Sequence, residues 1–371
     1  MNVGIVADRM NRKMTGVGNY VKNLLRELDR IKTNDNIYLL NYKDSKKYNH
    51  LKTKIINNPL KNITKSDYYL WHLYFLPHGL EKLDLELVHI PENASFSRRI
   101  RNMKKVITVY DLIAYLFPFQ VDLLTAIRYK LLIPKVINNA DKIITISENT
   151  KRDIIKNFGV AESKIKVIYL AAGESYKELS NKEFNFIFKK YQLPRSYLFY
   201  VGNISKHKNV DKIIEAFKKI KSKTNYKLVI AGKLSFGSKD IKKKIKDLDL
   251  QDDVIFTGYV PEEDLPALYN GASLFVYPSF YEGFGLPPLE AMQCGCPVIT
   301  SNTSSLPEVV GNAGIMVDPN DVDELAKQME RVLTNRRLQQ KMRKAGLKQA
   351  KKFSWEKCAR ETLKVYEEVL K

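Results

Sequence analysis

Two glutamates flank a glycine-rich turn within residues 277–308, and the spacing of these glutamates could support binding chemistry. Glu282 and Glu290 are separated by seven residues. The turn itself reads Gly283, Phe284, Gly285 and Leu286. A carboxylate repels phosphate but accepts two hydrogen bonds from a vicinal diol. One glutamate therefore suits a ribose and the other suits a sugar.

The elements that position this turn are a strand before it and a helix after it. The apolar run 274–277 is typical of a buried parallel strand. Glycines allow a sharp turn, and Pro287 and Pro288 favour a helix that begins near residues 286–288, with Glu290 in its first turn. The unpaired amides and the dipole of that helix would favour phosphate.

Two other turns between a predicted strand and a predicted helix also contain residues that could bind phosphate. Gly16 and Gly18 follow a predicted strand at 2–7 and precede a helical pattern, although a plain tight turn also explains this pair. Asn203, Lys206 and Lys208 follow a predicted strand at 197–202. Lysine at such a turn is a point charge for phosphate.

The glutamate pair and its turn resemble the donor-site signature of the retaining glycosyltransferases of family 4. The resemblance continues through residues 294–299 and 306–310 to Gly314, so it covers the C-terminal half of the chain. It implies an α/β fold of the B type, with two Rossmann-like, doubly wound parallel-sheet domains that face a central cleft.

Alternating strand and helix signals agree with this division into parallel α/β units. We expect an N-terminal acceptor-side domain at 1–172, a linker region at 173–190 and a nucleotide-sugar donor domain at 191–355. The apolar spacing in 356–371 predicts a last helix that packs back on the first domain.

The resemblance also implies roles for individual residues. Lys208 would bind the diphosphate, Glu282 the donor sugar and Glu290 the ribose. The backbone after a strand at 254–257 would pair with the nucleobase. The full set expected at the donor is Gly16, Gly18, Asn203, Lys208, Gly258, Tyr259, Glu282, Gly283, Phe284, Gly285, Leu286 and Glu290.

Asp111 follows the strand predicted at 105–110, and ligands of open α/β sheets bind beyond the carboxyl ends of the strands. The family commonly has His-Asp here, whereas this chain has Tyr110-Asp111. We therefore predict Asp111, Glu282 and Lys208 as catalytic. His89 ends the preceding strand and could supply an imidazole, although a lone histidine more often has its partners within the fold.

The expected reaction is the retaining transfer of a hexose from a nucleoside-diphosphate sugar, with UDP or GDP as the nucleotide and mannose as the suggested sugar. The acceptor would be a glycan or a lipid-linked glycan in cell-surface polysaccharide or glycolipid synthesis. Members of the family that the chain resembles generally need no bound metal for the chemistry, so we expect no cofactor and no metal site. Lys208 and the amides of 283–286 would stabilise the leaving diphosphate. No protein nucleophile is predicted.

Composition leaves other partners open. The net charge of +21 would suit nucleic acid, an anionic membrane surface or acidic substrates. No nucleic-acid motif accompanies the charge, and abundant Lys, Asn and Ile also fit an AT-rich genome. Without an apolar span or signal pattern, we expect a cytoplasmic protein, or one peripheral on the inner face of the cell membrane.

Three alternative functions stay open at this point. A nucleotide-sugar epimerase or a sugar phosphorylase would share the fold, and a phosphorylase would take phosphate instead of a nucleotide sugar. A basic, non-catalytic polyanion-binding protein would explain the charge but not the paired glutamates.

Overall fold

The computed structural model describes residues 1–11, 16–31, 33–41, 48–56, 70–93, 100, 102–233 and 239–371. The chain divides into two compact units. The first unit consists of Met1–Leu170 together with Ser354–Lys371, and the second consists of Ala171–Phe353.

The first unit is built on a seven-stranded parallel sheet with the order β3-β2-β1-β4-β5-β6-β7. Its strands are short and mostly apolar, as expected where helices cover both faces of a sheet. They are β1 Asn2–Val6, β2 Asn36–Asn41, β3 Lys52–Ile55, β4 Leu87–Ile90, β5 Lys104–Val109, β6 Lys142–Thr145 and β7 Ile165–Val167.

Helices connect these strands and supply the rest of the core. In Gly16–Ile31, Val21, Leu24, Leu25 and Leu28 recur at helical spacing and are all buried. The α-helices of the first unit are Gly16–Ile31, Leu76–Leu80, Ile113–Leu116, Leu123–Asn139, Glu148–Phe158 and Trp355–Leu370, and a π-helix spans Trp71–Phe75. Trp71 is buried in the core cluster of this unit.

The last helix, Trp355–Leu370, packs against Gly16–Ile31 within the first unit. The rings of Tyr20 and Trp355 lie 6.1 Å apart. Tyr366 also reaches the sheet, where its hydroxyl lies 2.7 Å from Nδ1 of His89 on β4. Residues 354–371 therefore help to cover the centre of the sheet.

The second unit has a six-stranded parallel sheet with the order β10-β9-β8-β11-β12-β13. This is the strand order of a Rossmann fold. The strands are β8 Tyr197–Val201, β9 Lys227–Ala231, β10 Val254–Gly258, β11 Leu274–Tyr277, β12 Val298–Ser301 and β13 Ile315–Val317. All four residues of β11 are buried, in agreement with its unbroken apolar sequence.

The helices of the second unit alternate with its strands. They are Asn181–Phe184, Phe186–Lys190, Val210–Lys221, Lys239–Asp247, Leu265–Gly271, Leu286–Gln293, Leu306–Val310, Val322–Thr334 and Arg336–Ala350. The first two lie in the segment that the sequence predicts as a linker region, and the structure groups that segment with the second unit from Ala171 onward.

Two expectations for the first unit were wrong. Gly16 and Gly18 lie inside the first turn of helix Gly16–Ile31, not in a loop before it. Residues 43–66 are polar with little periodicity, a pattern that predicts a variable connection, yet β3 forms within them at Lys52–Ile55. This edge strand pairs with β2 through its backbone, so it needs no apolar pattern.

Candidate active site

Lys208 and Glu282 form a buried ion pair in the second unit. The Lys208 Nζ atom lies 2.6 Å and 2.8 Å from the two carboxylate oxygens of Glu282. It also donates to the hydroxyl of Tyr277 at 2.8 Å, so all three ammonium donors have acceptors. The side chains of Lys208 and Glu282 are only 15% and 11% exposed.

The topology explains why these two residues meet. Lys208 follows β8 and Glu282 follows β11, and these strands are neighbours at the centre of the sheet. The chain continues from β8 to one side of the sheet and from β11 to the other side. This is the topological switch point, where open parallel sheets bind ligands beyond the carboxyl ends of their strands.

Polar residues that the sequence analysis missed fix both turns. Asn209, buried and at a φ of 55°, donates to the carbonyls of Pro278 and Pro319 at 3.0 Å and 2.9 Å. Glu282 N donates to Ser304 Oγ at 3.0 Å, and that hydroxyl lies 2.7 Å from the Glu282 carbonyl. Ser305 Oγ lies 2.7 Å from the carbonyl of Phe284. Residues 306–310, which follow these serines, belong to the family resemblance, but the serines themselves carry no sequence signal of their contact with the glycine turn.

Gly285 forms the last corner of the glycine turn. Its φ is 115°, in the region that favours glycine, and it is the N-cap of helix Leu286–Gln293. A Cβ atom here would lie 2.9 Å from the Leu306 side chain. Gly283 and Phe284 before it are buried. The predicted helix start is confirmed. Pro287 and Pro288 have no N–H and the Leu289 amide donates to the Gly285 carbonyl at 3.3 Å, so in the first turn only the Leu286 amide has no acceptor within the helix.

The ion pair controls the local electrostatics. Burial raises the pKa of the Glu282 carboxyl, but the charge and hydrogen bonds of Lys208 outweigh it, so the pKa is lowered from its ordinary value. Burial and the neighbouring Lys208 charge lower the pKa of His207 to about 4. Near neutral pH the His207 imidazole, next to the Lys208–Glu282 pair, is therefore uncharged.

Glu290 occupies a different environment from Glu282. It is the fifth residue of helix Leu286–Gln293, so the expectation that it lies in the first turn was wrong. Its Oε2 accepts a hydrogen bond from the hydroxyl of Tyr269 at 2.9 Å. Although the residue keeps partial exposure, its carboxyl group is buried, and burial raises the pKa of Glu290 to about 7.

The other residues expected at the donor lie near the Lys208–Glu282 pair or farther along the sheet. Asn203 and Lys206 are exposed in the turn after β8, and Lys206 lines a cavity of about 310 Å³ with Ser205, Asn209 and Phe280. Gly258 is instead the last residue of β10, the edge strand two positions from β8, and Tyr259 follows it. The Lys233 ammonium lies 5.5 Å from the centre of the Tyr259 ring.

The first unit carries its own charged cluster at its switch point, between β1 and β4. His72 Nε2 lies 3.2 Å from Asp8 Oδ2 and 3.5 Å from Glu92 Oε2, and Arg9 pairs with Glu92. Asp8, His72 and Glu92 are buried. Burial lowers the pKa of His72, but the two carboxylates outweigh it, so the pKa is raised.

This cluster was missing from the residues predicted from sequence. Asp8 and Glu92 each follow a buried strand, as Asp111 does, and that position could have identified them. His72 lies on the π-helix Trp71–Phe75, and no sequence signal links it to the two acids.

Asp111 lies two residues beyond β5, because the strand ends at Val109 and not at the residue before Asp111. Asp111 Oδ1 accepts a hydrogen bond from the Ile113 amide at 2.9 Å. Tyr110 is buried, and its hydroxyl donates to the carbonyl of Pro91 at 3.1 Å. Tyr110 therefore supports the loop after β4 in the position where the family commonly has a histidine.

A cavity of about 310 Å³ brings several of these groups together. Asp111, Glu92, Arg9 and Val17 all contribute to its wall. Val17 stands between Gly16 and Gly18 in the first turn of helix Gly16–Ile31. A Cβ atom on Gly16 would have no neighbour within 4 Å.

His89 belongs to the structure of the sheet. Its Nδ1 lies 2.7 Å from Tyr366 Oη, and its Nε2 lies 2.8 Å from Thr108 Oγ1. Burial lowers the pKa of His89 to about 3. Both ring nitrogens are used within the fold, as the sequence analysis expected for a lone histidine.

The described residues contain neither a metal-binding cluster nor a helix that could span a membrane. No cluster of three or more His, Cys, Asp or Glu residues in these ranges has an arrangement that could hold a metal ion. Each helix in the same part of the chain is too short or too polar to cross a bilayer.

Comparison with known proteins agrees with this fold. Over 308 residues the chain is 33% identical to the O-antigen chain mannosyltransferase B of Escherichia coli, covering 80% of this chain and 74% of the relative. It is 34% identical over 226 residues to the serotype-specific mannosyltransferase WbdA of Escherichia coli, covering 59% of this chain but only 28% of that longer relative. The crystal structure of Anabaena HepE in complex with UDP and glucose superposes with a TM-score of 0.77 at 16% identity, covering 99% of this chain and 100% of that one.

The fold and the strand order define a protein of the two-Rossmann-domain, B-type glycosyltransferase class. Residues 14–171 match glycosyltransferase family 4, and residues 182–349 match the family described as glycosyl transferases group 1. The chain belongs to this family and is a glycosyltransferase.

Proposed function

We propose that the protein is a retaining hexosyltransferase that moves mannose from a nucleoside-diphosphate sugar to a glycan or lipid-linked glycan acceptor. The observation that carries this proposal is the Lys208–Glu282 pair, which lies at the switch point of the second unit and just before helix Leu286–Gln293. Mannose as the sugar, and a role in cell-surface polysaccharide synthesis, are supported by the 33% identity to the O-antigen chain mannosyltransferase B.

The residues around the pair have complementary roles in this proposal. Lys208 moves one of its three donors from Glu282 to a phosphate oxygen and stabilises the charge of the leaving diphosphate. The released Glu282 carboxylate then accepts hydrogen bonds from donor-sugar hydroxyls, while Glu290 accepts from the ribose. The amides of residues 283–286, which lead into helix Leu286–Gln293, add donors to the diphosphate, so no metal ion is required for this stabilisation.

The acceptor binds in the first unit under this proposal. The cavity bordered by Asp111 and Glu92 presents carboxylates that can accept hydrogen bonds from sugar hydroxyls. Asp111 is proposed to contact the reacting hydroxyl. No side chain is assigned as a nucleophile, so retention would follow attack from the face that the diphosphate leaves.

A donor panel tests the proposal. The purified chain is incubated in EDTA with GDP-mannose, GDP-fucose, UDP-glucose, UDP-galactose or UDP-N-acetylglucosamine, and slow release of the nucleoside diphosphate is measured without acceptor. We expect release from a mannose donor that is lost in Lys208→Ala. NMR of the glycosylated acceptor should show that the anomeric configuration of the donor is kept.

The outcomes separate the parts of the proposal. Release from a different sugar would replace mannose and leave the reaction type in place. Inverted product would contradict retention, and activity only after a divalent metal is restored would contradict the metal-free stabilisation. Release of a sugar phosphate from a glycan with inorganic phosphate would identify a phosphorylase instead.

A further inference from the structure

A stripe of exposed apolar side chains runs along helix Leu123–Asn139 of the first unit. Leu123, Leu124, Ile127 and Leu131 are 74%, 79%, 48% and 62% exposed, and Phe119 just before the helix is 71% exposed. Isolated exposed apolar residues are ordinary, but a contiguous set marks an interaction surface.

The helical positions show that two lysines border this stripe. With about 100° between successive residues, Leu123, Ile127, Leu131 and Leu124 cover an arc of roughly 100°. Lys130 lies about 20° beyond one edge of that arc, and Lys135 lies about 20° beyond the other edge. Both lysines are exposed.

The opposite side of the same helix forms part of the cavity wall in the first unit. Thr125 and Tyr129 line the cavity that Asp111 borders. Each lies two residues after a stripe residue, which places it roughly 160° around the helix from that residue. One helix thus contacts the cavity with one side and presents the apolar stripe to solvent with the other.

We propose that this face docks on an anionic phospholipid surface. An apolar stripe of this width suits the boundary between head groups and acyl chains, and lysines at its edges can extend their ammonium groups to lipid phosphates. The acidic residue of the region, Asp122, is the N-cap of the helix, and its carboxylate accepts from the amide of Thr125 at 3.0 Å.

The charge of the chain favours a bilayer over a second copy of the protein. With a net charge of +21, two copies repel each other, whereas an anionic surface attracts each of them. The docking surface is independent of the identity of the donor sugar. It would place the cavity beside the bilayer, which suits a lipid-linked acceptor.

Vesicle co-sedimentation of the full chain tests the inference. Vesicles of phosphatidylcholine are compared with vesicles in which one-third of the lipid is phosphatidylglycerol. We expect binding to the anionic vesicles that weakens as salt is raised. Lys130→Gln with Lys135→Gln should lower the partition coefficient, since each lysine at an anionic surface contributes about fivefold. The combined substitutions Leu123→Gln, Leu124→Gln, Ile127→Gln and Leu131→Gln should abolish binding.

Matched controls separate the surface from total charge and from folding. Lys242→Gln with Lys243→Gln removes the same charge from the exposed helix Lys239–Asp247 of the second unit, and Phe186→Gln removes an exposed apolar side chain there. Both controls should bind like the wild type. All variants should keep the wild-type melting temperature and the wild-type rate of donor hydrolysis.

Three results would overturn the inference. The first is equal recovery with neutral and anionic vesicles. The second is an equal loss of binding in the Lys130→Gln, Lys135→Gln variant and in its charge-matched control. The third is a wild-type dimer that becomes a monomer when the four apolar stripe residues are replaced. Loss of donor hydrolysis in every protein, including the wild type, would count against the proposed function and not against the docking surface.

Discussion

The ammonium group of Lys208 contacts both carboxylate oxygens of Glu282, at 2.6 Å and 2.8 Å, across the switch point of the second sheet. Each residue is the counter-charge of the other in a site that excludes most water. Removal of one partner leaves a buried charge without compensation, which costs far more than an exposed ion pair contributes.

Lys208→Met should therefore destabilise the second unit. We expect a loss of about 3 kcal/mol in the free energy of unfolding, because the Glu282 carboxylate stays buried without its cation. Urea unfolding followed by circular dichroism measures the change. The double variant Lys208→Met with Glu282→Gln should recover most of that loss. Equal stability of the single and double variants would show that the two residues do not depend on each other.

Glu282 and Glu290 should affect different kinetic constants. Glu282→Gln should lower kcat with little change in affinity for the free nucleoside diphosphate, because Glu282 is proposed to contact the sugar as positive charge develops on it. At pH 8, where the Glu290 carboxyl is ionised, Glu290→Gln should weaken nucleotide binding by about 1.5–3 kcal/mol, the range for hydrogen bonds to charged groups. Calorimetric titration of the nucleotide, combined with steady-state kinetics, distinguishes the two.

The opposite result has a clear meaning for the site. If Glu282→Gln loses nucleotide affinity and Glu290→Gln does not, the roles of the two glutamates are reversed. If neither variant differs from the wild type, this turn does not bind the donor.

The raised pKa of Glu290 predicts a pH-dependent stability. The folded carboxyl holds its proton up to about pH 7, whereas the unfolded chain releases it near 4.5. The stability that this proton contributes is fully present below pH 4.5 and is lost as pH rises through 7. Because the residue keeps partial exposure, we expect a loss on the order of 1–3 kcal/mol.

Glu290→Gln provides the control for this effect, because glutamine resembles the protonated acid. Urea unfolding at pH 5 and pH 8 should show the variant close to the wild type at pH 5 and more stable at pH 8. The same loss between the two pH values in both proteins would assign the effect to other groups.

Tyr366→Phe should weaken the first unit. The hydroxyl of Tyr366 is the partner of His89 Nδ1 inside the core, so its removal leaves a buried polar atom unpaired and should cost about 1–3 kcal/mol. Thermal unfolding measures the loss. Tyr226→Phe is the matched control, since Tyr226 is only partly buried in the second unit. Truncation before Ser354 should have a larger effect, because it removes the whole packing helix.

Local patterns predicted much of the second unit. The unbroken apolar sequence of β11, the glycine turn and the two prolines were sufficient to place the turn before a helix. The pairing of Lys208 with Glu282 could not be predicted, because it depends on β8 and β11 being neighbours in the sheet. Spacing along the chain carries no information on such contacts.

In the first unit the sequence was less informative. Lys52–Ile55 gains its stability from backbone pairing at the sheet edge, which leaves no apolar period to detect. His72 contacts Asp8 from the π-helix Trp71–Phe75, and the sequence carries no signal for this rare type of helix. Glu290 was expected in the first helical turn. The helix begins at Leu286, so Glu290 is its fifth residue and lies just beyond that turn.

The return of residues 354–371 to the first unit has a consequence for synthesis. His89 and Tyr366 are 277 positions apart, so the early sheet cannot obtain this partner until the whole second unit has left the ribosome. The second unit, Ala171–Phe353, is continuous and can fold as soon as it emerges. Its folding brings the two distant segments closer than a flexible chain of that length would, which lowers the entropy cost of closing the loop. Until then, the surface of helix Gly16–Ile31 that later contacts Trp355 stays open to water and to chaperones.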